Sequence, residues 1–203
     1  MPANLAWGIT FLVAVYLAGQ SVLGLVIILA LVPLTFGLMG MATIVVRERT
    51  LVMSDLPRSI RTDFARRFAL GLAQLALVAI AVVDLLIGLQ IAGMIGLVLA
   101  VTAFYSGVAI WILAVAAWPI VMDPLRETMP LRARLRLALI LVLAHPLRFL
   151  LLSIVLAFVL AASALLAAAL ITFAAAYAAL VAAHYVLPAA DRLEGRETVT
   201  HEG

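Results

Sequence analysis

Residues 68–90, FALGLAQLALVAIAVVDLLIGLQ, contain one ionisable side chain, Asp84, in a run of otherwise apolar and small residues and two glutamines. A helix needs about 20 mainly apolar residues to cross the hydrocarbon core of a bilayer. This stretch has the required length and so few polar groups that it predicts a membrane-spanning helix.

Two further segments of the chain have the same character. Residues 5–46 and 149–190 carry no Asp, Glu, Lys or Arg, and residues 68–122 carry only Asp84. Each of these three segments is too long for one crossing and has room for two. The sequence therefore predicts an all-α integral membrane protein, a single bundle of about six transmembrane helices.

The composition of the whole chain excludes an ordinary soluble domain. Of its 203 residues, 67% are hydrophobic and 11% are charged. The mean hydropathy is +1.29, so one soluble core could not bury the apolar surface. Because the remaining polar stretches are too short for a second domain, we expect a transmembrane domain over residues 1–190 and a short polar tail over residues 191–203.

The basic side chains, all of them arginines, indicate the orientation in the membrane. They lie in residues 47–67, 126–148 and 192–196, between and after the apolar segments. An even number of crossings separates neighbouring clusters, which places all of them on one face, and the positive-inside rule makes that face cytoplasmic. Both chain termini are then expected in the cytoplasm.

The outer turn of the first segment has two candidate positions. One is residues 19–21, GQS, and the other is the stretch from Pro33 to Gly37. Pro33 removes a helical hydrogen bond and Gly37 permits sharp backbone geometry, so both residues suit a turn.

The outer turns of the other two segments are inferred in different ways. Glycines at residues 88–96 interrupt the second segment and predict spans near 68–89 and 95–118. The third segment has no Pro or Gly near its middle, so its turn is placed by length alone near residues 167–172.

The two cytoplasmic connectors are predicted to be amphipathic helices at the membrane interface. The first starts near Pro57 and the second at Pro130, since proline favours the start of a helix. In each, apolar residues recur at helical spacing and arginines occupy the other sides. A role in topology alone would account for these arginines. Those that could also contact anionic lipid or a partner protein are Arg58, Arg61, Arg66, Arg67, Arg132, Arg134 and Arg136.

Five short motifs occur in the order and spacing of a known family. They are VPLTFG at residues 32–37, MATIVVR at 41–47, DFARRF at 63–68, DLL at 84–86 and LAHPLR at 143–148. In these motifs the chain resembles the YesL-like family, small bacterial membrane proteins without an established activity.

The resemblance implies a multi-helix protein of the bacterial inner membrane, often encoded beside carbohydrate import systems of the ABC type. It also favours the turn at Pro33 over the one at residues 19–21, although Leu38 stands where the family usually has proline.

Two polar side chains within the second apolar segment are candidates for a functional role. Asp84 could couple transport to protons or ions, but it lies about 25 Å beyond Arg67 along a helix, near the outer edge of the membrane, which favours an interfacial or structural place. Gln74 lies deeper and could line a polar path. Hydrogen bonding between helices is the commoner use of such a residue.

Motifs for catalysis are absent from the sequence. It has no phosphate-binding glycine-rich loop with lysine, no zinc-protease motif, no serine-hydrolase elbow and no cysteine. We therefore expect no enzyme activity, no cofactor and no metal site. The basic charge lies beside apolar segments and not on a soluble domain, which argues against nucleic-acid binding.

The sequence thus favours a non-catalytic role. The first hypothesis is an accessory or assembly factor of a membrane transport system, and its link to carbohydrate ABC import rests on the resemblance alone. Its partners would be membrane lipids and either ABC transporter subunits or a second copy of the chain. The alternative is an autonomous small transporter or a substrate-binding transport subunit, and a lipid-interacting scaffold is a third class.

Overall fold

Long apolar runs form helices in a bilayer because the main-chain polar groups must be satisfied within the segment itself. The computed structural model describes residues 2–18, 22–48, 63–165 and 173–195, and these ranges contain helices and no strand. The α-helices are α1 (Pro2–Ala18), α2 (Val22–Glu48), α3 (Phe64–Gln90), α4 (Met94–Met122), α5 (Leu131–Ala144), α6 (Pro146–Leu165) and α7 (Ala175–Leu193). A short 3₁₀ helix, Pro124–Arg126, follows α4.

Two helices are long and apolar enough to cross a membrane. They are α3, with a mean hydropathy of 2.5 in its most apolar part, and α4, with 2.2. A third crossing results if α5 and α6 together form one bent span; their axes meet at 101°. Among the described residues the fold is therefore all-α with two or three helices of spanning length, and the six crossings remain a prediction.

The second apolar segment forms the helical hairpin α3–α4, and its turn falls where the glycines predict it. Gly93 in this turn has a φ of 92°, a conformation that favours glycine. A Cβ atom on Gly88 would lie 2.5 Å from the backbone nitrogen of Ala100, and one on Gly96 would lie 1.9 Å from the carbonyl oxygen of Ile91. The absence of side chains therefore lets the two helices meet closely at this end.

The turn expected at Pro33 and Gly37 is wrong. Helix α2 runs through both residues. Helix α1 ends at Ala18 and α2 begins at Val22, and the other predicted position, residues 19–21, lies outside the described residues. Transmembrane helices tolerate an internal proline because nearby hydroxyl groups and neighbouring helices satisfy the affected backbone. Two residues after Pro33, the hydroxyl of Thr35 donates to the carbonyl oxygen of Leu31 at 2.8 Å and accepts from the indole nitrogen of Trp7 at 3.0 Å.

The second connector is a helix, α5, and Pro130 lies directly before its first residue as the sequence predicts. The first connector, with Pro57, Arg58 and Arg61, lies outside the described residues. The predicted third turn at residues 167–172 also lies outside them.

The predicted polar tail, residues 191–203, is described only to residue 195 and begins within a helix. Helix α7 continues to Leu193, and Asp191 is buried. The carboxylate of Asp191 is held by arginines of other elements, which keeps the last turn of the helix inside the protein.

The main core lies between α2, α4, α6 and α7. The rings of Phe36 and Trp118 pack in it with their centroids 4.9 Å apart. A second apolar cluster joins α5 to the same bundle through Leu141 and Phe149. This core holds α2, α4 and α7 together so that their carboxyl ends lie at one end of the protein.

Candidate functional site

Five charged side chains meet where α2, α4 and α7 end. Two arginines, Arg47 and Arg126, lie among three carboxylates, Asp123, Asp191 and Glu194. We call these five residues the ion cluster. The side chains of Asp123 and Arg126 are 0% exposed, so the centre of the ion cluster is shielded from solvent by protein.

Arg47, in the last turn of α2, bridges two carboxylates. Its Nε and Nη2 atoms donate to Asp123 at 3.1 and 2.7 Å. Its Nη1 and Nη2 atoms donate to Asp191 at 2.6 and 3.0 Å. Each carboxylate is thus held in a two-bond contact, the arrangement for which the planar guanidinium group is best suited.

Arg126, in the 3₁₀ helix, contacts all three carboxylates. Its Nη1 atom donates to Asp123, three residues earlier. Its Nη2 atom lies 2.7 Å from both Asp191 Oδ1 and Glu194 Oε2. The arginine therefore ties the segment after α4 to the last turn of α7.

The ion cluster fixes the charges of its members. Burial alone would lower the pKa of Arg126, but its hydrogen bonds to Glu194 and Asp191 and the charge of Asp123 outweigh burial and raise the pKa. Burial alone would raise the pKa of Asp191, but hydrogen bonds from Arg47 and Arg126 hold it below the ordinary value. Arg126 and Asp191 therefore stay charged at neutral pH.

The ion cluster also suits the helix ends at which it lies. The carboxyl ends of α2, α4 and α7 carry partial negative charge, which favours cations and disfavours carboxylates. The two arginines therefore offset part of the negative charge of the helix ends and the three acids, and the ion cluster keeps a net charge of −1. Thr43 lies one helical turn before Arg47 in α2. Its hydroxyl hydrogen is shared between the carbonyl oxygens of Gly40, at 2.8 Å, and Met122, at 3.2 Å.

Two of the arginines predicted to contact lipid or a partner are instead buried. Arg134 of α5 is 4% exposed and donates to the carbonyl oxygens of Val121, Glu127 and Met129 at 2.8, 2.7 and 2.9 Å. Arg67 of α3 is 3% exposed, and its guanidinium lies 4.0 Å from Glu127. Arg134 therefore ties α5 to the end of α4 and to the segment that follows it. Arg67 brings the start of α3 close to the same segment.

The other predicted contact arginines divide into two groups. Arg66, Arg132 and Arg136 are exposed, so these three remain available to lipid headgroups or a partner. Arg58 and Arg61 lie outside the described residues.

A cavity of about 180 Å³ lies inside the bundle above the ion cluster. Side chains from α1, α2, α3, α4, α6 and α7 line it, and nearly all of them are apolar. All three tryptophans of the chain, Trp7, Trp111 and Trp118, belong to this lining. The cavity is therefore an apolar space with aromatic side chains in its wall.

The structure separates the two polar residues that the sequence singled out in α3. Gln74 lines the cavity and accepts a hydrogen bond from Trp118 Nε1 at 2.5 Å. Asp84 lies ten residues further along α3, about 15 Å away along the axis. Its half-buried carboxylate makes no hydrogen bond or ion pair with the described part of the chain.

The sequence pattern placed Arg47 and Arg126 in arginine clusters but did not predict the ion cluster. One signal was available, because Asp123 with Arg126 and Asp191 with Glu194 show the spacing of neighbours on one face of a helix, directly after apolar segments. Their association across the bundle depends on which helices pack together. The sequence pattern alone does not contain that information.

The described residues contain no group of three or more His, Asp or Glu side chains that could hold a metal ion. The chain matches no protein-family model, no curated protein and no solved structure.

Proposed function

We propose that the protein is a non-catalytic integral membrane protein that crosses a bacterial inner membrane six times with both termini in the cytoplasm. Residues from two of the arginine-rich regions and from the end of α7 meet at one end of the bundle, as a common cytoplasmic face requires. Within this membrane, the protein acts as an accessory or assembly factor of a transport system.

The observation that carries this proposal is the exposed apolar surface of the hairpin α3–α4. Only 11% of the most apolar part of α3 and 17% of that of α4 are buried inside the protein. Large side chains such as Leu97 and Phe104 point away from the other described helices. Such a surface suits lipid tails and the transmembrane helices of another subunit, since both are apolar.

The transport system itself is proposed from the resemblance to the YesL-like family. That resemblance points to a carbohydrate importer of the ABC type, whose membrane-embedded subunits would supply the helices that pack against the hairpin.

The proposal is tested by a pull-down of the tagged protein in gentle detergent at native expression, with mass spectrometry of the bound proteins. We expect recovery of importer subunits in a fixed ratio to the tagged chain. The variant Leu97→Ala with Phe104→Ala should lose this recovery. The matched control Ile154→Ala with Phe158→Ala, which changes exposed apolar residues of α6, should keep it.

Two results would contradict the proposal. The wild-type protein could be recovered alone, which would remove the accessory role. Alternatively, both double variants could retain the same subunits, which would show that the hairpin is not the contact surface.

A second candidate function is that of an autonomous small transporter or a substrate-binding transport subunit. The cavity supports it, because substrate sites of helical transporters lie between helices near the middle of the membrane. The lining is almost entirely apolar, so the substrate in this case would be hydrophobic and not a carbohydrate. Uptake of a hydrophobic compound by vesicles containing the purified protein alone would favour this function.

A further inference from the structure

One polar side chain in the wall of the cavity, Gln74, has a hydrogen-bond donor without a partner among the described residues. The indole nitrogens of Trp7, Trp111 and Trp118 donate to Thr35 Oγ1, to the carbonyl oxygen of Ser153 and to Gln74 Oε1. An indole N–H is a donor only, so the atom of Gln74 that meets Trp118 must be the amide oxygen. The amide nitrogen of Gln74 then has no hydrogen-bond partner among the described residues.

The size of the cavity matches a small apolar molecule. An empty apolar cavity of about 150 Å³ in a protein is large enough to bind benzene, and this one has a volume of about 180 Å³. Small side chains, among them Ala114, Ala178 and Ala182, leave this space open between the indole rings. No ionisable side chain lines it, so a charged ligand would lose its hydration without compensation.

A second cavity lies next to the first, on the side of the exposed hairpin. This second space of about 350 Å³ lies between α3 and α4, and Gln74 and Trp111 line both spaces. The two spaces therefore share part of their walls, and the second lies between the two helices that expose the most apolar surface.

We propose that the cavity binds an uncharged, mostly apolar molecule with about the volume of one substituted aromatic ring, whose carbonyl oxygen accepts a hydrogen bond from the amide nitrogen of Gln74. The indole rings supply the flat apolar walls, and their own hydrogen bonds hold them in fixed orientations. Gln74 supplies the single polar contact that orients the ligand. This inference holds for an accessory factor and for a transporter alike.

The three tryptophans make the binding measurable. Because every tryptophan of the chain lines the cavity, the intrinsic fluorescence of the purified, delipidated protein reports on its occupant. The probes are 4-iodobenzaldehyde, which has a carbonyl acceptor, and iodobenzene, which has none, since iodine quenches indole fluorescence. We expect saturable quenching by both, with about fivefold tighter binding of the aldehyde, the ratio that one hydrogen bond gives.

Three variants test the assignment. Gln74→Leu should bind both probes equally, because the donor is gone. Gln90→Leu, at the exposed end of the same helix, should keep the fivefold preference. Ala178→Leu, which fills the cavity, should abolish saturable quenching by both probes while the helical circular dichroism spectrum stays unchanged.

Two results would overturn the proposal. Quenching that rises linearly and equally in the wild type and in Ala178→Leu would show that the probes only dissolve in the detergent. A preference for the aldehyde that persists in Gln74→Leu would show that Gln74 does not bind the carbonyl.

Extraction of the protein before delipidation identifies the source of the natural ligand. A lipid ester retained by the wild type and lost in Ala178→Leu would place the end of a membrane lipid in the cavity. Saturable binding of the aldehyde without any such retained lipid would assign the cavity to a free small molecule.

Discussion

Arginine side chains in this protein have different roles according to their surroundings. Arg126 is enclosed by three carboxylates, Arg134 by three backbone carbonyl groups, and Arg132, two residues before Arg134, is exposed. All three have the same charge, and the sequence places them within ten residues of one another. The stability that each arginine contributes depends on whether its replacement would leave buried carboxylates or carbonyl groups without a partner.

Replacement of Arg126 by methionine should destabilise the protein strongly. Asp123, Asp191 and Glu194 would lose a shared cation, and an uncompensated buried charge costs about 3–5 kcal/mol. The free energy of unfolding, measured by denaturing-detergent titration in mild micelles, should fall by this amount. Arg132→Met is the control and should stay within about 0.5 kcal/mol of the wild type. Equal effects of the two substitutions would contradict the structure.

The ion cluster also predicts a dependence of stability on acid. The pKa of Asp191 lies below its ordinary value of 3.8 in the folded protein. Its contribution to stability is therefore complete above that ordinary value and is lost as the pH falls through the lower, folded value. Unfolding titrations between neutral pH and pH below 3.8 should show this loss. Asp191→Asn should be less stable at neutral pH and should show a smaller further loss in acid.

The residues of the ion cluster were visible in the sequence, but their pairing was not. Arg47 is 76 residues from Asp123 and 144 residues from Asp191. Periodicity and spacing report on neighbours along one helix, whereas these contacts depend on how separate helices pack. For the same reason, the sequence could not show that Arg67 and Arg134 are buried, because the neighbouring arginines in both connectors occur in the same pattern.

At the scale of the helices, glycine and proline differed in how well they predicted the turns. The glycines of residues 88–96 were sufficient to predict the turn between α3 and α4, because the backbone there needs a positive φ and close contact. The proline at residue 33 was misleading, because a helix in an apolar bundle continues through a proline when its neighbours support it. In this hairpin, the glycines that predict the turn include Gly88 and Gly96, where backbone atoms occupy the space that a side chain would need.

Two glycines of α4 provide a matched test at this scale. A Cβ atom on Gly96 would overlap the carbonyl oxygen of Ile91, whereas one on Gly107 would have only Ala81 at 4.0 Å. We expect Gly96→Ala to lower the free energy of unfolding by about 1–3 kcal/mol. Gly107→Ala should be neutral or stabilising by up to about 1 kcal/mol, since alanine favours a helix. Thermal unfolding followed by circular dichroism measures both, and the reverse order would contradict the close packing of the hairpin.

At the scale of the whole molecule, the described helices form a bundle whose ion pairs are concentrated at one end. Helices α2, α4 and α7 finish at the ion cluster, and α3 begins beside it through Arg67. The opposite end of the hairpin, at Ile91–Gly93, is exposed and carries no charge. This asymmetry is what a single cytoplasmic face, predicted from the arginine pattern, would require.

The orientation can be tested with single cysteines, because the chain has none of its own. Ala65→Cys and Thr128→Cys place an exposed thiol near the ion cluster, and Ala92→Cys places one at the far turn of the hairpin. All three keep every arginine. An impermeant maleimide should label residue 92 on intact spheroplasts and residues 65 and 128 only after permeabilisation. Labelling of residue 128 on intact spheroplasts would reverse the proposed orientation.

The order in which the ion cluster is completed has a consequence for biogenesis. Synthesis delivers Arg47 first, then Asp123 and Arg126, so the growing chain holds two arginines against one carboxylate until the final turn of α7 emerges. Asp191 and Glu194 then change the net charge of these side chains from +1 to −1. A chain terminated before residue 191 keeps unbalanced arginines between its helices, and membrane proteases that survey newly made proteins would recognise such a chain as incomplete.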